Sequence, residues 1–290
     1  MPSVAVVSDT TAYLPPGLAE QRGIELVPLY VVFGPDRIER ESDIVDYPAF
    51  FEELRGADSL PTTSQPSVGD FAAVYEPLLA AGRDVVSIHI SEGLSGTASS
   101  ARQAAEQLAR AGAGGGRIRV IDSATAAGGL GMLVLAAAAV AQRSGDLDEV
   151  ERVVVEARAD LKMWFAIDTL EFLKRGGRIG AASAWIGSTL RVKPILTVER
   201  ELTPVERVRT SARAFQRLVD YAHQRHESGA DGWAVQHICA PEEAGRLVER
   251  CRDEVFGCDP LFVSEIGPVL SAHTGPGLLG VGSISTRFLD

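Results

Sequence analysis

Residues 84–111 restrict the fold more than any other stretch. Asp84-Val85-Val86-Ser87-Ile88-His89-Ile90 reads as a short, mostly buried strand. Gly93-Leu94-Ser95-Gly96-Thr97 is a turn of small residues, and an Ala-rich helical pattern then runs to Ala111. Strand, tight turn and helix in that order lead to a parallel, crossover-connected sheet. They also leave the first N–H groups of a helix beside hydroxyls at one spot, which suits an anion.

The unit repeats along the chain. Ser3 to Val7 is an apolar strand ending at Ser8-Asp9-Thr10-Thr11, and Ile24 to Phe33 is one strongly β-like run. Phe71, Val74, Tyr75, Leu78 and Leu79 recur at helical spacing after Pro66-Ser67. The glycine turn 112–116 leads to a strand from Arg117 to Ile121, which ends at Asp122-Ser123. The charge-free run Ala124 to Ala141 is rich in Ala and Gly rather than Leu and Ile, so its second half reads as a helix inside the protein and not a membrane span. Three strands thus end in small polar residues, and ligands of open α/β sheets bind beyond such carboxyl ends. Taken singly, each is equally a helix cap or a turn former.

After a charged helix from Leu147 to Asp160 the pattern changes. Glu171 to Arg178 looks like a helix end with a glycine stop, and Val192–Val198 with Pro204–Val208 reads as a hairpin. Helices at Thr210–Arg225 and Pro241–Glu254 flank a strand at Trp233–Cys239. Two further β-like runs, Leu261–Glu265 and Leu278–Ile284, enclose a glycine-rich loop carrying His273. With 290 residues the expectation is two α/β domains, 1–146 with a largely parallel sheet and 147–290 with a mixed one.

Composition narrows the partners. Lys and Arg total 28 against 39 Asp and Glu, a net charge of −11 that disfavours nucleic acid or an anionic membrane surface. The three cysteines form no CxxC pair, so neither a disulfide framework nor a zinc site is expected, and a reduced cytoplasmic compartment fits. No signal peptide is visible. Gly275-Pro276-Gly277-Leu278-Leu279-Gly280 matches G-x-G-x-x-G, but only ten residues follow it and no βαβ unit surrounds it, so it is not a dinucleotide site. There is no Walker A loop. Gly93-Leu94-Ser95-Gly96 approaches a nucleophile elbow, which leaves a serine esterase using Ser95 and His273, with Asp9 or Asp122 third, as the minority reading. His89 and His237, in apolar strands, read as satisfied core histidines; His223 and His226 read as solvated.

The blocks Asp9-Thr10-Thr11-Ala12, Thr63-Ser64-Gln65-Pro66-Ser67, Leu94-Ser95-Gly96-Thr97, Asp122-Ser123, Leu173-Lys174-Arg175-Gly176-Gly177-Arg178 and His273-Thr274-Gly275-Pro276-Gly277 together resemble the DegV family of bacterial fatty-acid-binding proteins. The likeness spans essentially the whole chain, with Tyr13 where the family often has Asp and Thr10 where it often has Ser. It implies two α/β domains with one long-chain fatty acid buried between them and no other cofactor. It implies a carboxylate held by Thr63, Ser95 and His273, with Gly96 at the helix start and Arg209 joining them. It also implies a separate ATP-using fatty acid kinase that makes acyl phosphate for phospholipid synthesis, so that the binding protein itself performs no chemistry. Lys174, Arg175 and Arg178 then read either as helix C-terminal capping or as a docking patch for that kinase.

Overall fold

The computed structural model describes residues 3–56, 60–114, 116–185 and 192–289; Gly115, in the expected glycine turn, lies outside them. The N-terminal half comprises β1 (Val4–Asp9), α1 (Leu18–Arg22), β2 (Ile24–Val27), β3 (Tyr30–Gly34), β4 (Arg37–Arg40), α2 (Tyr47–Gly56), β5 (Thr62–Ser64), α3 (Val68–Ala80), β6 (Asp84–His89), α4 (Thr97–Arg110), β7 (Ile118–Asp122), α5 (Ala127–Arg143) and α6 (Leu147–Asp160). The remainder comprises β8 (Lys162–Ala166), α7 (Glu171–Arg175), β9 (Lys193–Glu199), β10 (Glu201–Val208), α8 (Ser211–Glu227), β11 (Gly232–His237), α9 (Pro241–Cys251), β12 (Phe262–Glu265), α10 (Pro268–Thr274) and β13 (Leu279–Ile284).

Three sheets result. The first is all parallel, in the order β2-β1-β6-β7. The last is six-stranded, β10-β9-β8-β13-β11-β12, antiparallel except for the β11–β12 pair. An α/β fold with a parallel sheet followed by a mixed one is what the sequence pattern implies, hairpin included: β9 and β10 pair antiparallel with a bulge at Pro204. The third sheet, antiparallel β4-β3-β5, is unannounced in the sequence.

It arises because the run Ile24–Phe33 is two strands and not one. Pro28 has no N–H to give a ladder, and the Leu29 N–H goes to Thr10 Oγ1 at 3.2 Å while its carbonyl accepts from Glu41 N at 2.8 Å. β2 therefore stays in the parallel sheet and β3 leaves to pair with β5, which carries Thr63.

α5 is the centre of the molecule. Fourteen of its 17 residues are buried, so it is an internal helix with no solvent face of consequence. It packs on β1 and β6 on one side and on β8, β11 and β13 on the other. Its small residues permit that double contact: a Cβ on Gly131 would stand 2.9 Å from the Ala12 carbonyl and 3.1 Å from the Phe262 ring. Core residues of both halves form one continuous cluster around it. Among the described residues no helix is long and apolar enough to cross a membrane. α6, expected to open the second domain, instead packs on α5, β6 and β7, and the six-stranded sheet begins only at Lys162.

Further polar ties cross the seam. Ser91 Oγ donates to the Arg200 carbonyl at 2.5 Å, and Arg200 N to the Ala124 carbonyl at 2.9 Å. The Gln236 side chain accepts from Gly128 N, in the first turn of α5, and donates to Ser264 Oγ at 2.8 Å.

Candidate functional site

A cavity of about 920 Å³, its open mouth included, lies beyond the carboxyl end of β6, between the parallel sheet and one face of the six-stranded sheet. Most of the wall is apolar: Leu29, Ile90, Leu94, Ala126 and Ala127 come from the N-terminal half, and Met163, Phe165, Leu173, Val198, Leu202, Ile266, Val269, Leu270 and Leu278 from the other. Gln236 also lines it, with its amide occupied by the contacts just described. The remaining polar groups are Thr63, Ser64, Gln65, Ser95, Arg178, His273 and Thr274. Leu94, Ser95, Arg178 and Leu202 line both the cavity and a shallow open notch outside it, which marks the mouth.

Each polar group is set by its element. Thr63 is the middle residue of β5, opposite Val31 of β3. His273 lies in the last turn of α10, not in a loop: Gly267-Pro268 opens that helix with Pro in its first turn, and Gly275 at φ +73° ends it. A seven-residue helix bracketed by glycines is too short to show a period. Thr63 Oγ1 and His273 Nε2 are 2.8 Å apart, so the two halves of the chain meet at this pair. Ser95 precedes α4, whose N-cap is Gly96 with no side-chain cap, which leaves the first-turn N–H groups facing that end. Ser95 Oγ lies 2.8 Å from Thr97 Oγ1. A Cβ on Gly96 would come within 2.7 Å of the Gln65 amide, so glycine there lets β5 and α4 close together.

The imidazole of His273 is neutral at pH 7. Burial, and after it the nearby Arg178 guanidinium, hold it down to about 4. Its Nδ1 is buried and has no hydrogen-bond partner among the described residues. Arg178 is exposed at the mouth, with Nη1 donating to the Gly176 carbonyl at 3.0 Å.

Thr63, Ser95 and His273 are thus brought to one cavity, while Gly96 backs it without lining it. Arg209 does not join them. It is exposed past the far end of β10, a strand whose near end carries the lining residue Leu202. Among the described residues the cation that lines the cavity is Arg178, in place of the expected Arg209. Lys174 and Arg175 occupy the last turn of α7, away from the lining.

The esterase geometry is not formed. Ser95 bonds Thr97 rather than His273, and no carboxylate meets His273 Nδ1 among the described residues. Asp9 is committed to His89 Nδ1 and Ile90 N, each at 3.0 Å, and Asp122 to Ala124 N at 2.8 Å. A Ser-His-Asp chain does exist elsewhere: Ser87 Oγ to His89 Nε2 at 2.6 Å and on to Asp9, extended by Tyr75 OH. All three side chains are fully buried, so no substrate reaches them. This network satisfies His89 as a core histidine and joins β1 to β6. Among the described residues no cluster of His, Cys, Asp or Glu is arranged to hold a metal ion.

Comparison with known proteins agrees with this architecture. The family model described as "Uncharacterised protein, DegV family" matches residues 3–286. A DegV domain-containing protein of Streptomyces coelicolor is 42% identical over 280 residues, 96% of this chain and 97% of its own. Among solved structures, a DegV family protein from Thermus thermophilus described by its fatty acid binding superposes with a TM-score of 0.88 at 34% identity, covering 98% of this chain and 100% of that one. DegV of Bacillus subtilis, described as a fatty acid binding protein, gives 0.86 at 33% identity, again over 98% and 100%.

Proposed function

This chain belongs to the DegV family, and on that premise we propose that it binds one long-chain fatty acid, tail in the apolar cavity and carboxylate at the mouth. The observation that carries the reading is an apolar cavity whose polar groups include the Thr63–His273 pair, Ser95 and Arg178. Burial of a C16 tail contributes about 12 kcal/mol gross, at roughly 0.8 kcal/mol per methylene, before the costs of association. Much of that would be lost if the headgroup entered unpaired. Hydroxyls, an imidazole, the α4 N–H groups and a solvent-exposed guanidinium are enough to pair both oxygens. Arg209 is left out of this clamp.

In the same reading the protein is a cytoplasmic carrier of two α/β domains and not itself a catalyst. It presents the carboxylate to a separate fatty acid kinase, where a carboxylate oxygen attacks the γ-phosphorus of ATP, ADP departs and acyl phosphate forms. A clamp with a single, exposed cation leaves that oxygen more nucleophilic than a buried bidentate arginine pair would.

Titration of delipidated protein with a fluorescent long-chain fatty acid tests the binding step. Wild type takes up one equivalent, and Ser95→Ala combined with His273→Ala weakens binding at least tenfold, roughly one lost charge-assisted hydrogen bond. Equal affinities would count against the assignment, and turnover of a p-nitrophenyl ester would favour the hydrolase. Reversing Lys174 and Arg175 to Glu lowers turnover with a fatty acid kinase while binding and thermal midpoint hold. A fall in the midpoint alone would make them helix caps only.

A further inference from the structure

Glu41 lies in the segment after β4; the residue is buried, 3% exposed, with no cation against its carboxylate among the described residues. Three donors converge on it instead. Oε1 accepts from Tyr13 OH at 2.6 Å and from Val269 N at 2.8 Å, and Oε2 accepts from Thr10 Oγ1 at 2.5 Å. The Tyr13 hydroxyl in turn accepts from Leu270 N at 3.1 Å. Gly267 makes room for this approach, since a Cβ there would stand 2.7 Å from the Tyr13 ring and 2.6 Å from Tyr47 OH. Val269 and Leu270 form the first turn of α10, and Val269, Leu270, His273 and Thr274 all line the cavity.

An ionisable group is an expensive core residue unless something needs its directional bonds. Here the bonds tie two N-terminal segments to the start of α10. That helix is seven residues long, roughly 10 Å of rigid rod at 1.5 Å per residue, so displacing its first turn displaces His273 at the other end. We propose that Glu41, with Tyr13, is a positioning residue for the headgroup site: it clamps α10 across the seam and so sets His273 against Thr63 and keeps that side of the cavity shut. The inference rests on the reading that the cavity holds a fatty acid.

The test compares wild type, Glu41→Gln, Glu41→Ala and Tyr13→Phe with Asp146→Ala, a cap of α6 remote from the cavity. Three quantities are read: release rate of a fluorescent long-chain fatty acid, the His273 ring signals in NMR, and thermal midpoint. Glu41→Ala and Tyr13→Phe release the acid roughly tenfold faster, about one buried hydrogen bond, and shift the His273 signals. Glu41→Gln, which keeps an acceptor for Val269 N, stays near wild type. Asp146→Ala lowers the midpoint and moves neither of the other readouts. Tyr13→Phe decides the matter if Glu41→Ala does not fold. Wild-type release with unmoved His273 signals in the clamp variants overturns the proposal, as does an equal response from Asp146→Ala. If wild type takes up no fatty acid, the binding reading fails, while the His273 signals still judge the clamp.

Discussion

Gly176→Ala lowers fatty acid affinity by roughly ten- to a hundredfold, the worth of a displaced charge-assisted hydrogen bond, and lowers stability by about 1–3 kcal/mol through overpacking. Gly176 ends α7 at φ −76° and ψ −7°, an ordinary conformation, so backbone strain is not the cause. The reason is space. A Cβ there would overlap His273 Nδ1 and lie 3.2 Å from the Phe172 carbonyl, and the imidazole is the part able to give way. The neighbouring glycine separates the two effects. Gly177 sits at φ +69° with open space where its Cβ would be, so Gly177→Ala costs stability through strain and leaves the headgroup site intact. Calorimetric titration with thermal melts of both variants checks this. Equal affinity in Gly176→Ala and wild type would show that the His273 position does not govern binding.

The second large effect is in pH. Burial pushes Glu41 up to about 7 from 4.5, and burial with Arg178 holds His273 down to about 4 from 6.5. The signs oppose. Between pH 4.5 and 7 the folded chain holds a proton on Glu41 that the unfolded chain gives up, so this group costs stability as pH rises. Between pH 4 and 6.5 the unfolded chain binds a proton that His273 refuses, so this group costs stability as pH falls. Each is worth at most about 3 kcal/mol over its window. In delipidated wild type they offset each other, and single variants unmask them. Glu41→Gln should lose stability relative to wild type as pH drops from 7 to 4.5, the window in which folded wild type takes up a proton on Glu41 and the unfolded chain does not. His273→Asn should lose it as pH climbs from 4 to 6.5, where wild type gains stability as its unfolded chain gives up the His273 proton. Urea denaturation across pH 4.5–7.5 reads the difference curves, and profiles parallel to wild type would remove both titrations from the account.

Part of the site was legible: Ser95 follows a strand, His273 stands out in a glycine-rich run, and Thr63 entered only through the family resemblance. The structure brings the three to one cavity. What was missed has a common cause: local patterns cannot report long-range pairing. β5 is three residues long and becomes a strand only because β3 lies beside it. α10 hides between glycines. Glu41 and Gln236 look like ordinary polar residues until their partners arrive from more than 100 positions away in the chain. Arg178 was singled out for charge, yet its place on the cavity wall depends on α7 docking against α10. Arg209 was misplaced because a block match carries no information on which end of β10 faces the cavity. The expected boundary before Leu147 puts α6 with the second half, whereas α6 packs on α5, β6 and β7.

Native mass spectrometry of the protein purified without added lipid, followed by organic extraction, reads the bound ligand itself. Wild type should carry one intact long-chain fatty acid per chain, and the chain should be largely free of lipid when Ser95 and His273 are both alanine. Wild-type protein emerging with no acyl ligand, and acquiring none when offered palmitate, would contradict it.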